Sequence, residues 1–308
     1  MSPPPTPNLG TIPFNKPWKS CADQLVILEG RGLVIADKTA AARFLAHINY
    51  YRFSGFCLAF ENARHVFVPG TTFEQVRTAY EFDQHLRDLT NEALEVVEVD
   101  VRTAIAYPFG QAYGAFGHID SRNFHGTFEH KKWLNRLRKH AEESNEDFVL
   151  RFQQVYSEFP NLPIWMLTEI MSFGAISMMF KFMHKRDQRA VCARYGVQAF
   201  YLVSWVHHLV YVRNICSHHA RLWDRQWAIK PDLPSSNVWA ASGLPSNDRL
   251  FVTLLILNQL MKRCPCLDGF RASWRDRIAA HVATLPSCNN PLSRMGSPAG
   301  WQTHPLWI

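Results

Sequence analysis

Residues 69–108 read PGTTFEQVRTAYEFDQHLRDLTNEALEVVEVDVRTAIAYP, and this stretch decides the fold class. Thr72 with Gln75 three residues later is a capping-box signature, in which each side chain satisfies a backbone amide at a helix start. Pro108 predicts the far end, because proline disfavours helix in the residue before it. Asp83 with Arg87, and Glu98 with Arg102, stand four apart with the acid first, the favourable order along a helix. An unbroken run from 73 to 107 would be about 50 Å long, so a kink near Thr90-Asn91 is expected. Both charged pairs read as solvated helix faces rather than as catalytic carboxylates.

Working outward, the flanking segments carry helical signals too. Residues 1–15 are proline-rich and are expected to be flexible or extended. The pattern CADQLVILEGRGL predicts a helix that stops at Gly30 and Gly32. Asp37 is the expected N-cap of KTAAARFLAHI, and NYYRFSGFCLAF predicts a short aromatic helix or turn. Downstream, 109–128 reads as a loop, and 129–158 as one or two helices beginning EHKKWLNRLRKH. In FPNLPIWMLTEIMSFGAISMMFKFMHKR, residues Ile164, Leu167, Met171 and Met178 predict a broad apolar face of core packing. Further helices are expected at 198–216, 247–263 and 268–285, with a loop over 221–246. The tail 286–308 is rich in Pro, Ser and Gly, yet carries Trp301 and Trp307. Strands are scarce and no repeat is present, so the expected class is all-α, with short loops joining antiparallel neighbours.

Composition bounds the partners. At 308 residues, 47% apolar and 19% charged, the chain has the balance of a folded globular protein. Lys and Arg number 33 against 26 Asp and Glu, a surplus that suits RNA or DNA but is common in other proteins. The seven cysteines are odd in number and scattered, which predicts a reducing cytoplasm rather than a disulfide framework. Cys264-Pro265-Cys266 has no second pair at zinc-finger spacing. The N-terminal residues lack the pattern of a secretory signal, and no apolar run approaches the roughly 20 residues of a membrane span. A soluble cytoplasmic protein with no membrane partner is expected. Phosphate-binding glycine loops, nucleophile elbows and HExxH motifs are missing, and no cofactor or metal is expected.

The chemistry-bearing stretch is YVRNICSHHARLW at 211–223, which follows the apolar YLVSWVHHLV. On the predicted helix an apolar stripe runs through Leu202, Trp205, Leu209, Val212 and Cys216. Arg213 lies about 40° from that stripe, and His218 about 140° round from Arg213, unless unwinding near Ser217 draws them together. Asn214 and His218 share a face. One reading is structural: Arg213 pairs with Glu169 in the interior, while His218 and His219 complement the helix C-terminus. The other is chemical. Metal-free RNA cleavage needs a base for the ribose 2′-hydroxyl, an acid for the leaving oxygen and a cation for the phosphate. Histidine and arginine supply those groups, and Asn214 could orient His218 or bond the phosphate. A shared metal is a poorer reading, since His208 and His219 would lie about 16 Å apart. The segment holding Lys131, Lys132, Arg136, Arg138 and Lys139 fits either a phosphate track or a solvated surface.

DQLVILEGRGLVI, FLAHINYYRFSGF, YEFDQHLR with EVVEVDVR, LPIWMLTEIMSFG and VRNICSHHARLW occur in an order and spacing that resemble the Abi-like (abortive infection) proteins of bacteria, in the HEPN superfamily. The resemblance runs from about Lys16 to about Leu285. It implies a HEPN-type helical bundle with an additional N-terminal helical region: about 16–70 for that region, about 71–285 for the HEPN core, then the tail. The superfamily motif is arginine, four to six residues, then histidine, so the family's catalytic roles fall on Arg213, Asn214 and His218. The resemblance implies a metal-independent endoribonuclease in phage defence, or a toxin, that cleaves through the 2′-hydroxyl. A homodimer with a composite groove is implied, and an RNA or protein antitoxin is a further expected partner. RNA contacts are expected at Lys131, Lys132, Arg136, Arg138, Lys139, His219 and Arg221, with Glu169 as structural support. Two alternatives remain: a non-cleaving RNA-binding or scaffold protein that holds a small regulatory RNA, and a DNA-binding regulator using the helix at 129–140.

Overall fold

A computed structural model describes residues 13–235, 238–239 and 246–308. The expectation for residues 1–12 and part of that for the 221–246 loop lie outside the described residues. The chain divides into two compact units, one up to Tyr80 and one from Glu81.

The first unit holds α1 (Cys21–Gly30), α2 (Lys38–Ile48) and α3 (Tyr50–Cys57), a small antiparallel hairpin of β1 (Glu61–Ala63) and β2 (Val66–Phe67), and the first turns of α4 (Phe73–Tyr113). Local chemistry explains each helix start. Ser20 and Asp23 close a capping box on α1, and Asp37 accepts the Ala40 amide at 2.9 Å. Asn49 takes a left-handed backbone (φ 70°), which ends α2, and its side chain accepts the Tyr51 amide to start α3. The core is aromatic: Phe53 stacks on Phe73 at 4.6 Å, and Phe44 meets both rings edge-on.

The second unit is built on the rest of α4. Thr72 and Gln75 form the expected capping box at its start, at 3.2 and 2.8 Å. The far end differs from expectation, because the helix runs through Pro108 to Tyr113. Phe109, immediately after the proline, is fully buried, so tertiary packing outweighs the lost amide. At Thr90-Asn91 the helix is continuous, and the Thr90 hydroxyl donates to the Leu86 carbonyl at 2.7 Å. The expected loop therefore begins only at Gly114.

There follow α5 (His130–Glu142), α6 (Asp147–Val155), α7 (Ile164–Ile170), α8 (Phe173–Phe182), α9 (Lys185–Tyr195) and α10 (Ala199–Ser217). Ser172 separates α7 from α8 by capping the Ala175 amide. Ile164, Leu167 and Met171 are buried as expected, but Met178 points outward with 43% exposure. Near the C-terminus lie α11 (Leu250–Met261), α12 (Asp268–Val282) and the short α13 (Pro291–Met295). Helix α11 is buried on nearly every side, which its uniformly apolar sequence requires. The tail docks: Asn258 Nδ2 donates to the Leu306 and Trp307 carbonyls at 2.8 Å each, and Trp301 and Trp307 are buried. Among the described residues no single helix is long and apolar enough to cross a membrane.

His208, fully buried in the middle of α10, ties three segments together. Its Nδ1 is 2.6 Å from the Ile229 carbonyl and its Nε2 is 2.9 Å from the Thr253 hydroxyl. Burial pushes its pKa down to about 4, against 6.5 for a free ring. The folded ring stays neutral while the unfolded chain gains a proton below pH 6.5. Its stability contribution is therefore complete above pH 6.5 and falls as the pH drops towards 4. We expect this to amount to about 3 kcal/mol. Urea unfolding between pH 7 and 4 checks it: the decline should be shallower in His208→Gln than in the wild type.

Candidate functional site

The 213–218 stretch ends α10, and its backbone is closed by a Schellman motif. The Ala220 amide donates to the Ile215 carbonyl and the His219 amide to the Cys216 carbonyl, both at 3.0 Å. His219 occupies the left-handed position (φ 53°) that glycine most often fills. The His218 amide still donates to the Asn214 carbonyl at 3.0 Å, so the helix does not unwind at Ser217.

Two residues later the chain is held from beneath. Asp83, with no exposure at all, accepts the Leu222 amide at 2.9 Å and the Trp223 amide beside it, and forms an ion pair with Arg87. Burial pushes the Asp83 carboxyl up to about 6, against the pull of Arg87 and the two amides. This overturns the expectation of a solvated pair. The signal was present in the spacing: Ala79, Asp83, Leu86 and Thr90 follow one buried stripe of α4.

The second pair is also largely buried. Glu98 binds Arg102, whose other arm donates to the Thr168 carbonyl. Arg213 Nε lies 3.6 Å from Glu98 Oε2, so its ion-pair partner is Glu98 and not the expected Glu169. Glu169 instead lines the same cleft, of about 410 Å³, together with Glu95, Glu98, Arg102, Arg213 and Ser217. Three carboxylates against two guanidiniums make this cleft acidic. Asn214 is exposed, and its Oδ1 lies 3.4 Å from Arg213 Nη1. His218 and His219 are exposed, and neither lines the cleft. Arg213 and His218 are thus on one helix end but do not converge.

The basic helix α5 buries Trp133, Leu134 and Leu137 and turns Lys131, Lys132, Arg136 and Lys139 along one open groove. Arg138 departs from that group, because its Nε donates to Asn161 Oδ1 at 2.8 Å. Glu129 and Glu143 lie 3.5 Å from Lys132 and Lys139, as expected of solvated surface pairs. Clefts link this helix to the α10 end. Glu169 also lines a second cleft with His140, and His140 a third with Lys132 and Arg136. Arg221 is half-buried beside Asp224, at 3.9 Å. Among the described residues no group of three or more His, Cys, Asp or Glu side chains could hold a metal ion. Cys264 and Cys266 have their sulfurs 3.2 Å apart, with Asp100 at 3.5 Å from Cys264 Sγ.

Asp83 gives a stability test of this arrangement. Asp83→Ala should cost about 3–5 kcal/mol, because it leaves Arg87 buried without its carboxylate. Asp83→Asn keeps an acceptor for the Leu222 and Trp223 amides and should lose less. Urea midpoints of the two variants check the order.

The model of the Abi-like protein family matches residues 43–224, more than half of the chain. That span includes α4, the cleft and the whole 211–223 stretch. No curated protein and no solved structure matches the chain. On the strength of the family match, the chain belongs to the Abi-like proteins.

Proposed function

We propose that this protein is a metal-independent endoribonuclease of the HEPN type, acting in phage defence by abortive infection or as a toxin. The observation that carries the reading is the end of α10: Arg213, Asn214 and His218 lie partly or fully in solvent on a backbone locked by the Schellman closure. Groups that do proton transfer gain from such fixed placement. In this reading His218 exchanges protons with the ribose 2′-hydroxyl or the leaving oxygen. Arg213, already aimed by Glu98, meets the charge that develops on the phosphate. Asn214 orients one or the other. RNA enters over the basic face of α5, and Lys131, Lys132, Arg136 and Lys139 bind its backbone.

A second copy of the chain completes the site. Within one chain Arg213 and His218 do not converge, and a twofold axis at the end of α10 doubles the groups available. Trp165, Met178 and Phe200 are large exposed apolar side chains on α7, α8 and α10, and these helices are the proposed seam. The same divergence supports an alternative, in which the protein binds a regulatory RNA without cutting it. RNA or protein antitoxins fit both readings.

Incubation with labelled RNA tests the proposal. Cleavage should yield cyclic-phosphate ends at a rate unchanged by EDTA, and recovery only with added magnesium or manganese would refute the mechanism. His218→Ala should lower the rate by about 10²–10⁴-fold with an unchanged melting temperature. Arg213→Ala should also abolish cutting, and its stability loss should stay under about 1 kcal/mol, because its ion pair is long and partly exposed. Light scattering should report twice the 35.5 kDa chain mass. Discrete RNA binding without new ends would favour the non-cleaving alternative.

A further inference from the structure

Three residues after His218 the chain enters a cluster of arginines that the reaction above does not use. Asp224, in a left-handed backbone (φ 54°), is its centre. Arg294 Nη1, from α13, lies 2.8 Å from Asp224 Oδ2. Arg249 Nη1, from the residue that caps α11, lies 3.3 Å from Oδ1, and Arg221 Nη1 lies 3.9 Å from Oδ2. Arg225 joins them by donating from Nε to the Arg221 carbonyl at 2.6 Å.

Asp83 acts on Arg221 from below, but it already holds Arg87. Three guanidiniums therefore crowd within 3.9 Å of the one Asp224 carboxylate. The guanidiniums are not spread into solvent either: the side chains of Arg221, Arg249 and Arg294 are only 23%, 30% and 24% exposed. Burial, with Arg225 and Arg294 close by, holds the Arg221 pKa below its usual range despite the two aspartates. Like charges held together at partial burial are stabilised by an added oxyanion. The cluster is also stiff. Gly296 (φ 75°) backs onto Arg249 so closely that a Cβ there would lie 2.6 Å from Arg249 Cβ.

We propose that Arg221, Arg225, Arg249 and Arg294 form a phosphodiester-binding site for the RNA strand next to the His218 end of α10. Guanidinium forks match pairs of phosphate oxygens, and a half-buried setting strengthens each such bond. Asp224 orients the forks and competes with the incoming phosphate. Arg221 follows His218 by three residues, at most about 11 Å along the chain, so the strand held here passes beside the histidine. Arg249 and Arg294 lie beyond residue 224, where the family match ends, so the C-terminal segment contributes to binding. The inference rests on the reading of this protein as one that acts on RNA.

The test uses the full chain and a fluorescent 2′-O-methyl RNA strand, whose blocked 2′-oxygen separates binding from cleavage. Arg249→Gln and Arg294→Gln should each weaken binding about tenfold and lower the salt slope of log K by about 0.7. Asp224→Asn should tighten binding. Inorganic phosphate, at constant ionic strength, should raise the melting temperature of Asp224→Asn more than that of the wild type. Wild-type binding that is indifferent to both arginine variants, at unchanged melting temperature, would overturn this site and leave the ribonuclease reading standing. Weaker binding that tracks a lost fold, read by circular dichroism, would overturn it too. A wild type that binds no RNA at all would bring down both.

Discussion

Asp83 has no contact with water, yet it answers three donors at once: the Arg87 guanidinium and the amides of Leu222 and Trp223. Burying that carboxylate is costly, and only a nearly complete set of partners offsets the loss of hydration. The consequence is positional. Asp83 and Arg87 belong to the long helix α4, whereas Leu222 and Trp223 belong to the segment after α10. The carboxylate thereby fixes where the chain goes after its exposed histidines. Trp223, buried behind it and edge-on to Phe82, adds an apolar contact to the same join. Without this anchor the Schellman closure at 215–220 would end in a loose strand.

A similar logic holds α10 at its middle, where His208 spans the Ile229 carbonyl and the Thr253 hydroxyl. The helix is thus clamped by buried polar groups at two levels, and the side chains between and beyond the clamps divide by role. Leu209, Val212, Ile215 and Cys216 fill the core, while Asn214, His218 and His219 are left in solvent. Arg213 lies at the boundary, at about 40° from the apolar stripe as its spacing requires. A boundary arginine needs a partner, and Glu98 meets that need because Arg102 already holds the same carboxylate in place.

Much of the fold was legible because helix signals are local. Thr72 and Gln75, Asp37, and the Gly30 stop each act on a neighbour within a turn, so the residues themselves declare them. The end of α4 was not legible, since Pro108 is overruled by the burial of Phe109, a tertiary effect. Burial of Asp83 and of Glu98 was hidden for a related reason. A carboxylate four residues before an arginine looks the same in water or in a core, and only the apolar stripe around Asp83 separates the cases. The choice of Glu98 over Glu169 for Arg213 depends on how α4 and α7 pack, which no spacing within α10 can reveal. Arg138 was grouped with the surface cations by charge alone, whereas its bond to Asn161 is a matter of geometry.

Charge arrangement connects these parts. The cleft beside Arg213 holds Glu95, Glu98 and Glu169 against two arginines, so on its own it repels a phosphate. Cations gather in two other places: Lys131, Lys132, Arg136 and Lys139 on α5, and the arginines round Asp224 beyond His218. On the proposed reading an RNA strand gains its affinity there. At the centre, Glu98 holds Arg213 in a fixed direction and tempers its attraction for a resting phosphodiester. A guanidinium restrained in this way gains most when extra negative charge develops on the phosphate. That difference between ground state and transition state is what accelerates a reaction, whereas equal attraction to both would only tighten binding. The cleft's carboxylates repel that added charge as well, so on the proposed reading Arg213 needs the further cations that a second copy of the chain would bring.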